Sequence, residues 1–234
     1  MCGRFSQHRT AAEYLRVLGC EVPLADTLDS APIGRYNVAP GTRVPILYRQ
    51  PDGLHLQLVT WGYAPFWAQG KRPPAINARM ETAASSRFFR GIWTSGRALV
   101  AADGWYEWKK DAKSPKRKQP YFIRLKSGEP MFFAAMARRP EGESAEPGND
   151  GFVIITAATD TGLLDIHDRR PLVLPPDVAR EWLDPDLPSE RAEELLRYHG
   201  QPTEAFEWFP VNRAVGNVRN EGPDLIVPIS DPLL

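Results

Sequence analysis

The amino-acid sequence predicts an α+β fold built mainly from antiparallel sheet. Segments with strand-like composition outnumber helix-like segments and follow one another without regularly spaced helices between them. Parallel strands need such helical crossovers, so this order favours antiparallel pairing over a doubly wound fold. The 234 residues are enough to build a hydrophobic core, and no internal repeat or long linker divides them. We therefore expect a single domain spanning residues 1–234.

The first element is predicted to be a helix over residues 10–19. Thr10 and Glu13 have the spacing of a capping box, in which each side chain bonds the backbone of the other residue. Tyr14 and Leu18 place apolar side chains on one helical face, and Gly19 is a typical terminator. Residues 21–42 are rich in Pro, Gly and Asp and are predicted to form a loop.

Short runs of apolar, β-branched and aromatic residues are separated by turn residues along the rest of the chain. These runs predict strands at residues 44–48, 56–61, 98–101, 105–108, 121–125, 131–136, 152–156, 171–174 and 206–211. A helix is predicted at residues 81–93, with Phe88, Phe89 and Trp93 packed inward, and surface helices at 177–183 and 189–199. Two charged loops remain: residues 109–119 carry six basic residues, and residues 140–150 carry four acidic ones.

The formal net charge is zero, with 29 basic and 29 acidic side chains, but these charges are unevenly distributed. Residues 1–124 contain 19 Lys and Arg against 9 Asp and Glu, whereas residues 125–234 contain 10 against 20. This asymmetry indicates a basic face for a polyanion, although chance loop composition explains it equally well. No apolar run is long enough to span a membrane, no secretory signal begins the chain, and two cysteines are too few for a disulfide framework. A cytoplasmic protein is therefore expected.

Cys2 offers unusual chemistry, because removal of the initiator methionine leaves it at the N-terminus. An N-terminal cysteine carries an amine and a thiol on adjacent carbons, with ordinary pKa values of about 8 and about 8.5. The amine can form a Schiff base with an aldehyde, and the thiol can then close a five-membered thiazolidine ring. Alternatively, the thiolate attacks a carbonyl carbon, as in N-terminal-nucleophile hydrolases. A cysteine without any function is the remaining interpretation.

Four polar residues lie within otherwise apolar or aromatic segments and are candidates for a functional site. Glu107 is flanked by three aromatic residues, so its pKa should be raised and its carboxyl group could exchange a proton near neutrality. Asn37, Asn77 and His167 occupy comparable positions in their own segments. Structural roles remain open, such as a turn for Asn37, an ion pair with a lysine for Glu107 and a helix cap for His167.

Aromatic residues and arginines occur together in the predicted loops, as in the segment from Trp61 to Trp67. Single-stranded nucleic acid needs this combination, because rings stack on bases and cations contact phosphates. The candidate phosphate contacts are Arg4, Arg79, Arg87 and Arg169. Burial in the core is the alternative for any one ring. The sequence lacks the dinucleotide-binding and P-loop motifs and the ligand spacing of a zinc site, so no cofactor, nucleotide or metal is expected.

Several motifs together resemble the SOS-response-associated peptidase (SRAP) family, most closely its bacterial members. They include Met-Cys-Gly-Arg-Phe at the start, Ile-Asn-Ala-Arg-Met-Glu-Thr, Asp-Gly-Trp-Tyr-Glu-Trp and Asp-Ile-His-Asp-Arg-Arg-Pro. The matching segments are residues 1–5, 35–41, 61–62, 76–82, 102–108, 156–158, 165–171 and 211–218. They occur in order over essentially the whole chain, so the resemblance is highly specific. The family captures abasic sites in single-stranded DNA covalently through an N-terminal cysteine.

This resemblance implies a role for each candidate residue. Cys2 would remove Met1 autocatalytically and then form a thiazolidine with the ring-opened deoxyribose of an abasic site. Asn77 would orient Cys2 and the sugar, Glu107 would act as general acid and base, and His167 would assist the Schiff-base step and strand cleavage or reversal. The implied DNA-binding residues are Arg4, Asn37, Pro40, Trp67, Arg79, Arg87 and Arg169.

The resemblance also implies a barrel-like core flanked by helices and a role in the DNA damage (SOS) response. The implied partner is single-stranded DNA containing abasic sites, bound by a monomer that is associated with the nucleoid when engaged and has no contact with membranes. Its activity would combine autoproteolysis with lyase-like processing. Two other functions remain open: a Cys2-dependent peptidase or amidohydrolase acting in trans, and a module that binds single strands without a covalent bond.

Overall fold

Two β-sheets and four short α-helices make up the structure, a computed structural model that describes residues 2–19, 31–110, 117–139, 150–159 and 166–230. The helices are α1 (Ala11–Leu18), α2 (Arg90–Trp93), α3 (Pro176–Trp182) and α4 (Ser189–Tyr198). The strands are β1 (Phe5–Gln7), β2 (Arg35–Val38), β3 (Arg43–Gln50), β4 (Gly53–Thr60), β5 (Asn77–Arg79), β6 (Arg97–Ala102), β7 (Gly104–Lys110), β8 (Lys118–Leu125), β9 (Met131–Arg138), β10 (Gly151–Ala158), β11 (Arg169–Pro171), β12 (Val173–Leu174) and β13 (Phe206–Pro210). Short 3-10 helices lie at Phe66–Ala68, Thr203–Ala205, Arg213–Gly216 and Pro223–Ile226.

Antiparallel pairing dominates both sheets, which confirms the predicted α+β class. The five-stranded sheet has the order β13-β8-β7-β1-β2, and all of its pairs are antiparallel. The eight-stranded sheet has the order β11-β10-β9-β6-β3-β4, with β12 paired to β9 and β5 paired in parallel to β10. In the described part of the chain both sheets are open, so the barrel-like core implied by the resemblance is not confirmed.

Three hydrophobic clusters arrange these elements in layers. One cluster lies between the helices and the outer face of the eight-stranded sheet, the second lies between the two sheets, and the third packs the C-terminal segment on the outer face of the five-stranded sheet. Strand β6 is wholly apolar after Arg97 because both of its faces are covered. Leu99 faces the helices, whereas Val100 faces the other sheet. Successive side chains of a strand point to opposite faces, so a strand covered on both sides needs apolar residues at every position.

Helix α1 forms as its sequence predicts. Thr10 accepts a hydrogen bond from the Glu13 backbone, and the Glu13 carboxylate accepts one from the Thr10 backbone. Gly19 ends the helix in the left-handed conformation, with a φ of 70°, which an L-residue with a side chain rarely adopts. Tyr14 and Leu18 are buried against the eight-stranded sheet and α3.

The predicted helix at residues 81–93 is wrong over most of its length, because only Arg90–Trp93 are α-helical and the preceding residues form turns. Ser86 accepts a hydrogen bond from the Phe88 backbone through its side chain, which competes with regular helical bonding. The predicted inward packing of Phe88, Phe89 and Trp93 is confirmed, since all three are buried.

Three short strands were not predicted, and one predicted strand is divided. β2 lies within residues predicted to be loop, and β1 and β5 have only three residues each. The predicted strand at residues 171–174 changes partners at Leu172, so that β11 pairs with β10 and β12 pairs with β9. Such short segments carry too little periodicity to be recognised, because their pairing is decided by distant strands.

The remaining predicted strands and the two C-terminal helices are present with slightly different ends. Parts of the predicted loops, namely residues 20–30, 111–116 and 140–149, lie outside the described residues. No helix among the described residues is long and apolar enough to cross a membrane.

Candidate functional site

Cys2 lies just before β1, in the cluster between the two sheets, where none of its surface is exposed. The Asn77 side-chain amide donates a hydrogen bond to the Cys2 carbonyl oxygen at 2.9 Å. Burial raises the pKa of the Cys2 thiol, and the nearby Glu107 carboxylate raises it further. The positive charge of the chain terminus and a hydrogen bond to the Arg4 backbone act in the opposite direction. The thiol is therefore protonated at neutral pH in the chain that carries Met1.

Asn77 reaches Cys2 because β5 pairs in parallel with β10, with Asn77 opposite Ile154. Ile154 belongs to the cluster between the sheets, whereas Ala78 faces the helices. Alternation along β5 therefore directs Asn77 toward Cys2 and places Arg79 on the same side. The Asn77 side-chain oxygen is buried and makes no hydrogen bond within the described structure. It is thus available to accept a bond from a substrate hydroxyl or an amine.

Glu107 lies on β7, two residues after Trp105, which packs between the sheets. The two side chains share one face of the strand, so the carboxyl group of Glu107 points to the interior and is only 5% exposed. Burial, with a smaller contribution from Asp168, raises its pKa to about 8, whereas the positive chain terminus lowers it. The raised pKa expected from the aromatic flanks is thus present, and the carboxyl group is mostly protonated at neutral pH.

His167 is partly buried just before β11, and its Nδ1 lies 2.9 Å from Asp168 Oδ1 and 3.1 Å from the Arg169 backbone nitrogen. One ring nitrogen cannot donate to the carboxylate and accept from the amide at once. A backbone N–H can only donate, so the bond from Arg169 requires a lone pair on Nδ1 and places the proton of the neutral ring on Nε2. Burial first, and then the positive chain terminus, lowers the pKa of His167 below its ordinary value.

The four predicted catalytic residues therefore meet at one place. Glu107 and His167 line the same narrow pocket, Glu107 acts electrostatically on the Cys2 thiol, and Asn77 holds the Cys2 backbone. The acid and the base have their pKa values shifted in opposite senses, which leaves Glu107 protonated and His167 neutral at neutral pH. No cluster of metal-ligating side chains occurs in the part of the chain that the structure describes.

Arg169 borders this pocket but is engaged by protein groups. Its guanidinium donates to both carboxylate oxygens of Glu81, at 2.7 and 3.0 Å, and to the backbone and side-chain oxygens of Thr156, at 2.6 and 3.2 Å. Arg79, the residue next to the site along β5, is exposed. Arg79 can therefore contact a phosphate directly. Arg169 could bind a phosphate only by giving up its hydrogen bonds to Glu81 or by sharing its guanidinium between Glu81 and the phosphate.

Arg4 and Asn37 lie on the opposite side of the five-stranded sheet, against the C-terminal segment. Arg4 donates to Asn37 Oδ1 and to the Val215 carbonyl, each at 2.8 Å. The buried Asn37 amide is within hydrogen-bond distance of the carbonyl oxygens of Val215, Asn217 and Asn220. In this conformation the pair anchors the C-terminal segment, and their predicted DNA contacts remain predictions. Pro40 is exposed in the turn after β2.

Trp67 lies in an exposed aromatic turn formed by Phe66–Ala68. Trp67 is 50% exposed, and its neighbour Phe66 is 65% exposed. Arg87 lies over the Trp67 ring, with 5.4 Å from its guanidinium carbon to the centroid, and Arg138 lies over the Phe66 ring at 4.2 Å. Exposed rings paired with arginines are suited to stacking on bases beside a phosphate chain.

Sequence reasoning did not single out Phe66 as a site residue, nor did it assign a partner to Arg169. Phe66 could have been suspected from its position beside Trp67 in a segment interrupted by Gly and Pro. Composition alone, however, does not distinguish an exposed ring from a ring in the core. The bonds of Arg169 to Glu81 and Thr156 join residues 88 and 13 positions away. No local pattern could have found them, because only the packing of β10 against β5 and β11 brings them together.

Comparison with known proteins agrees with this geometry. The family model for "SOS response associated peptidase (SRAP)" matches residues 1–218. The chain is 50% identical to the abasic site processing protein YedK of Escherichia coli, over 98% of this chain and 100% of that protein. It is 31% identical to the abasic site processing protein YoqW of Bacillus subtilis, over 97% of this chain and 99% of that protein.

Among solved structures, a phage-related protein from Bordetella bronchiseptica superposes with a TM-score of 0.76 and 39% identity, over 91% of this chain and 95% of that one. The sequence and structure comparisons both cover nearly the full length of the chain. The chain belongs to the SOS response associated peptidase (SRAP) family.

Proposed function

We propose that this protein captures abasic sites in single-stranded DNA as a covalent adduct of Cys2. The observation that carries the proposal is the convergence on Cys2 of Asn77, a carboxyl group with a pKa of about 8 and a neutral histidine. An abasic site equilibrates with an open-chain aldehyde, and an N-terminal aminothiol is a chemically matched trap for it. The relatives named as abasic site processing proteins support this choice of substrate.

The proposed reaction forms two bonds and releases one water molecule. After Met1 is removed, the Cys2 amine attacks C1′ of the aldehyde, and loss of water gives an imine. The thiol then adds to the same carbon while the imine nitrogen takes up the thiol proton, which closes the thiazolidine ring. Because the thiol is protonated in the buried site, the proton needed at nitrogen comes from Cys2 itself, and no oxidant or reductant is required.

Each neighbouring residue has a defined task in this scheme. Asn77 holds the Cys2 backbone and presents its unbonded side-chain oxygen to the sugar. Glu107, protonated at neutral pH, donates a proton to the ring oxygen as the sugar opens, regains one from the C1′ hydroxyl as the aldehyde forms, and donates again to the leaving water as the imine forms. The neutral imidazole of His167 accepts the proton released by the attacking amine. These assignments use the acid and the base in the protonation states that their pKa shifts favour.

The single strand would approach along exposed arginines and aromatic rings. Arg79 and Arg87 are exposed and can neutralise phosphates, while Phe66 and Trp67 can stack on bases. Arg169 would contact the phosphate next to the abasic site by sharing its guanidinium with Glu81. We propose that the protein acts as a monomer on this partner, with Pro40 at the edge of the same surface.

A denaturing gel tests the covalent step. Purified protein incubated with an oligonucleotide that contains one abasic site should give a slower band, and an intact strand should give none. Cys2→Ala should abolish the band. Cys2→Ser, prepared so that Met1 is absent, is the matched control, since it then keeps the free amine and should form only an adduct that borohydride must trap. Absence of any band with the unmodified protein contradicts the proposal, and peptide cleavage in trans without a band identifies a peptidase instead.

Removal of Met1 is a separate requirement, because only then does Cys2 have a free amine. We propose that the Cys2 sulfur attacks the Met1 carbonyl carbon, so that a thioester forms, the Met1–Cys2 peptide bond breaks and the thiol proton passes to the Cys2 nitrogen. One water molecule then hydrolyses the thioester, which releases methionine and regenerates the thiol. Intact-mass spectrometry should find a chain that lacks Met1. A purified chain that retains Met1 and still forms the borohydride-independent band contradicts the thiazolidine.

A further inference from the structure

A second cavity, of about 410 Å³, lies on the helix side of the eight-stranded sheet. It is bounded by Arg49 and Gln50 at the end of β3, by Thr94 and Ser95 before β6, and by the last turn of α3. Its lining shares no residue with the pocket that contains Glu107 and His167. The sheet separates the two, because Cys2 lies in the cluster on the other face. Cys2 chemistry therefore does not account for this cavity.

Six of the nine residues that line the cavity carry hydrogen-bond donors in their side chains, and the other three are Pro51, Leu183 and Pro185. Arg49, Arg97 and Arg139 supply three guanidinium groups, while Thr94 and Ser95 supply hydroxyl groups. No carboxylate is among the described residues that line it, and within the described chain none of the three arginines is in a salt bridge. Asp184 interacts electrostatically with Arg97 but forms no salt bridge with it. The three positive charges repel one another, so an anion placed between them is stabilised.

Two of these arginines keep buried donors without acceptors. Arg97 is 7% exposed, and its Nη2 donates to the carbonyls of Asp184, Pro185 and Leu187, but its Nε is buried without a hydrogen bond. Arg139 packs its guanidinium 4.1 Å from the centroid of the Tyr48 ring, and its Nη1 is also buried and unbonded. Each buried donor without an acceptor leaves the positive charge of its guanidinium poorly compensated, which an anion nearby would offset.

Two of the three arginines are also held in place before any ligand arrives, whereas the Arg49 side chain is exposed. Carbonyl bonds hold Arg97, the Tyr48 ring holds Arg139, and the hairpin between β3 and β4 carries Arg49. Preorganised guanidinium groups with a planar fork of donors match the oxygens of a phosphate group. We propose that this cavity, named here the arginine pocket, binds a phosphate group, supplied by a DNA strand or by a free nucleotide. This inference is independent of the proposed Cys2 reaction.

Calorimetric titration with inorganic pyrophosphate at low ionic strength tests the arginine pocket. The unmodified protein should bind saturably, and Arg49→Gln with Arg139→Gln should lower the affinity by about tenfold or more, as expected for the loss of charge-assisted contacts. Arg97 is not replaced, because its carbonyl bonds support the fold. Arg16→Gln, which removes an exposed charge on α1, is the matched control and should leave the affinity unchanged. Equal affinity of the double variant and the unmodified protein overturns the proposal.

Two further ligands distinguish the sources of phosphate. If a DNA strand supplies it, the double variant weakens binding of a long intact single strand and leaves binding of a six-nucleotide strand unchanged. If a free nucleotide supplies it, a deoxynucleoside monophosphate shifts the backbone amide signals of Ser95 and Arg97 in NMR spectra. The thermal midpoint of each variant is measured first, so that a folding defect is not taken for lost binding. Amide shifts confined to the surroundings of Glu107 contradict the arginine pocket.

Discussion

The chemistry of the site depends on the opposite pKa shifts of two residues. Burial raises the pKa of Glu107 to about 8 and lowers the pKa of His167, so one can donate and the other accept near neutrality. Glu107 could be recognised from its aromatic neighbours in the sequence. The direction of the pKa shift of His167 could not be recognised from the sequence, because it depends on how far the ring is buried and on its distance from the chain terminus.

Glu107→Gln should slow crosslinking while leaving affinity for intact single strands nearly unchanged. Its pH dependence distinguishes an acid from a base. If Glu107 donates a proton, the rate ratio of unmodified protein to Glu107→Gln falls as the pH rises through about 8, where the carboxyl group loses its proton. Using the ratio cancels the titration of the amine, which both proteins share. A ratio that grows with pH contradicts the acid role, and equal loss of binding would make Glu107 structural.

At the scale of elements, a buried carboxylate ties the start of the chain to the sheets. Asp103, between β6 and β7, accepts hydrogen bonds from the His8 backbone at 2.7 Å, from Arg9 at 2.8 Å and from the Tyr14 hydroxyl at 2.6 Å. Burial acts to raise the pKa of Asp103, but the interactions with the His8 side chain and backbone and with the Tyr14 hydroxyl outweigh it, so the pKa is lowered. The bonds from His8, Arg9 and Tyr14 tie the end of β1 and the start of α1 to the turn between β6 and β7.

Asp103→Asn should destabilise the protein by about 2 kcal/mol at neutral pH, the size expected for weakened hydrogen bonds to a charged group. Because the pKa of Asp103 is lower in the folded protein, its contribution is present above the unfolded pKa of about 3.9 and is lost as the pH falls through the folded value. Urea denaturation should show the difference between the two proteins shrinking in acid. Asp52→Asn, at an exposed pair with His55, is the control, and an equal effect would contradict the argument.

The aromatic turn is the second element with a separable role. Phe66→Ala and Trp67→Ala should each weaken single-strand binding, by about 1–3 kcal/mol per stacked base. Tyr198→Ala removes a ring of comparable exposure from α4 and should have no effect. Fluorescence anisotropy with an intact oligonucleotide measures the affinity of each variant for the single strand. If both variants bind like the unmodified protein, the exposed rings do not contact DNA.

At the scale of the whole molecule, zero net charge conceals a basic N-terminal part and an acidic C-terminal part. Binding of single strands should weaken with salt, because arginines that replace counterions release them. Arg79→Gln and Arg87→Gln should each reduce the slope of log affinity against log salt by about 0.7. Arg16→Gln should not change it. If the unmodified protein and the three variants all show the same slope, the DNA does not contact Arg79 or Arg87.

The sequence by itself determined the parts of this protein that depend on local order. A cysteine after the initiator methionine, a capping box with a terminal glycine, arginines among aromatic residues and strand-like runs without helical crossovers are all properties of neighbouring residues. They were sufficient for the fold class and for α1, whereas the resemblance to the family singled out Asn77, Glu107 and His167 as the partners of Cys2. Residues 81–93 show where local order is not sufficient. Most of this segment of helical composition forms turns, and the Ser86 side chain accepts a hydrogen bond from the Phe88 backbone there.

Only the tertiary structure decided what surrounds those residues. The parallel pairing of β5 with β10 brings Asn77 to Cys2, burial sets the pKa of Glu107, and the bonds to Glu81 and Thr156 occupy Arg169. The arginine pocket likewise joins the ends of three strands that are far apart in the chain. The physical reason is common to all of them: burial and electrostatic interaction depend on distance in space, which pairing of remote strands establishes and local sequence does not.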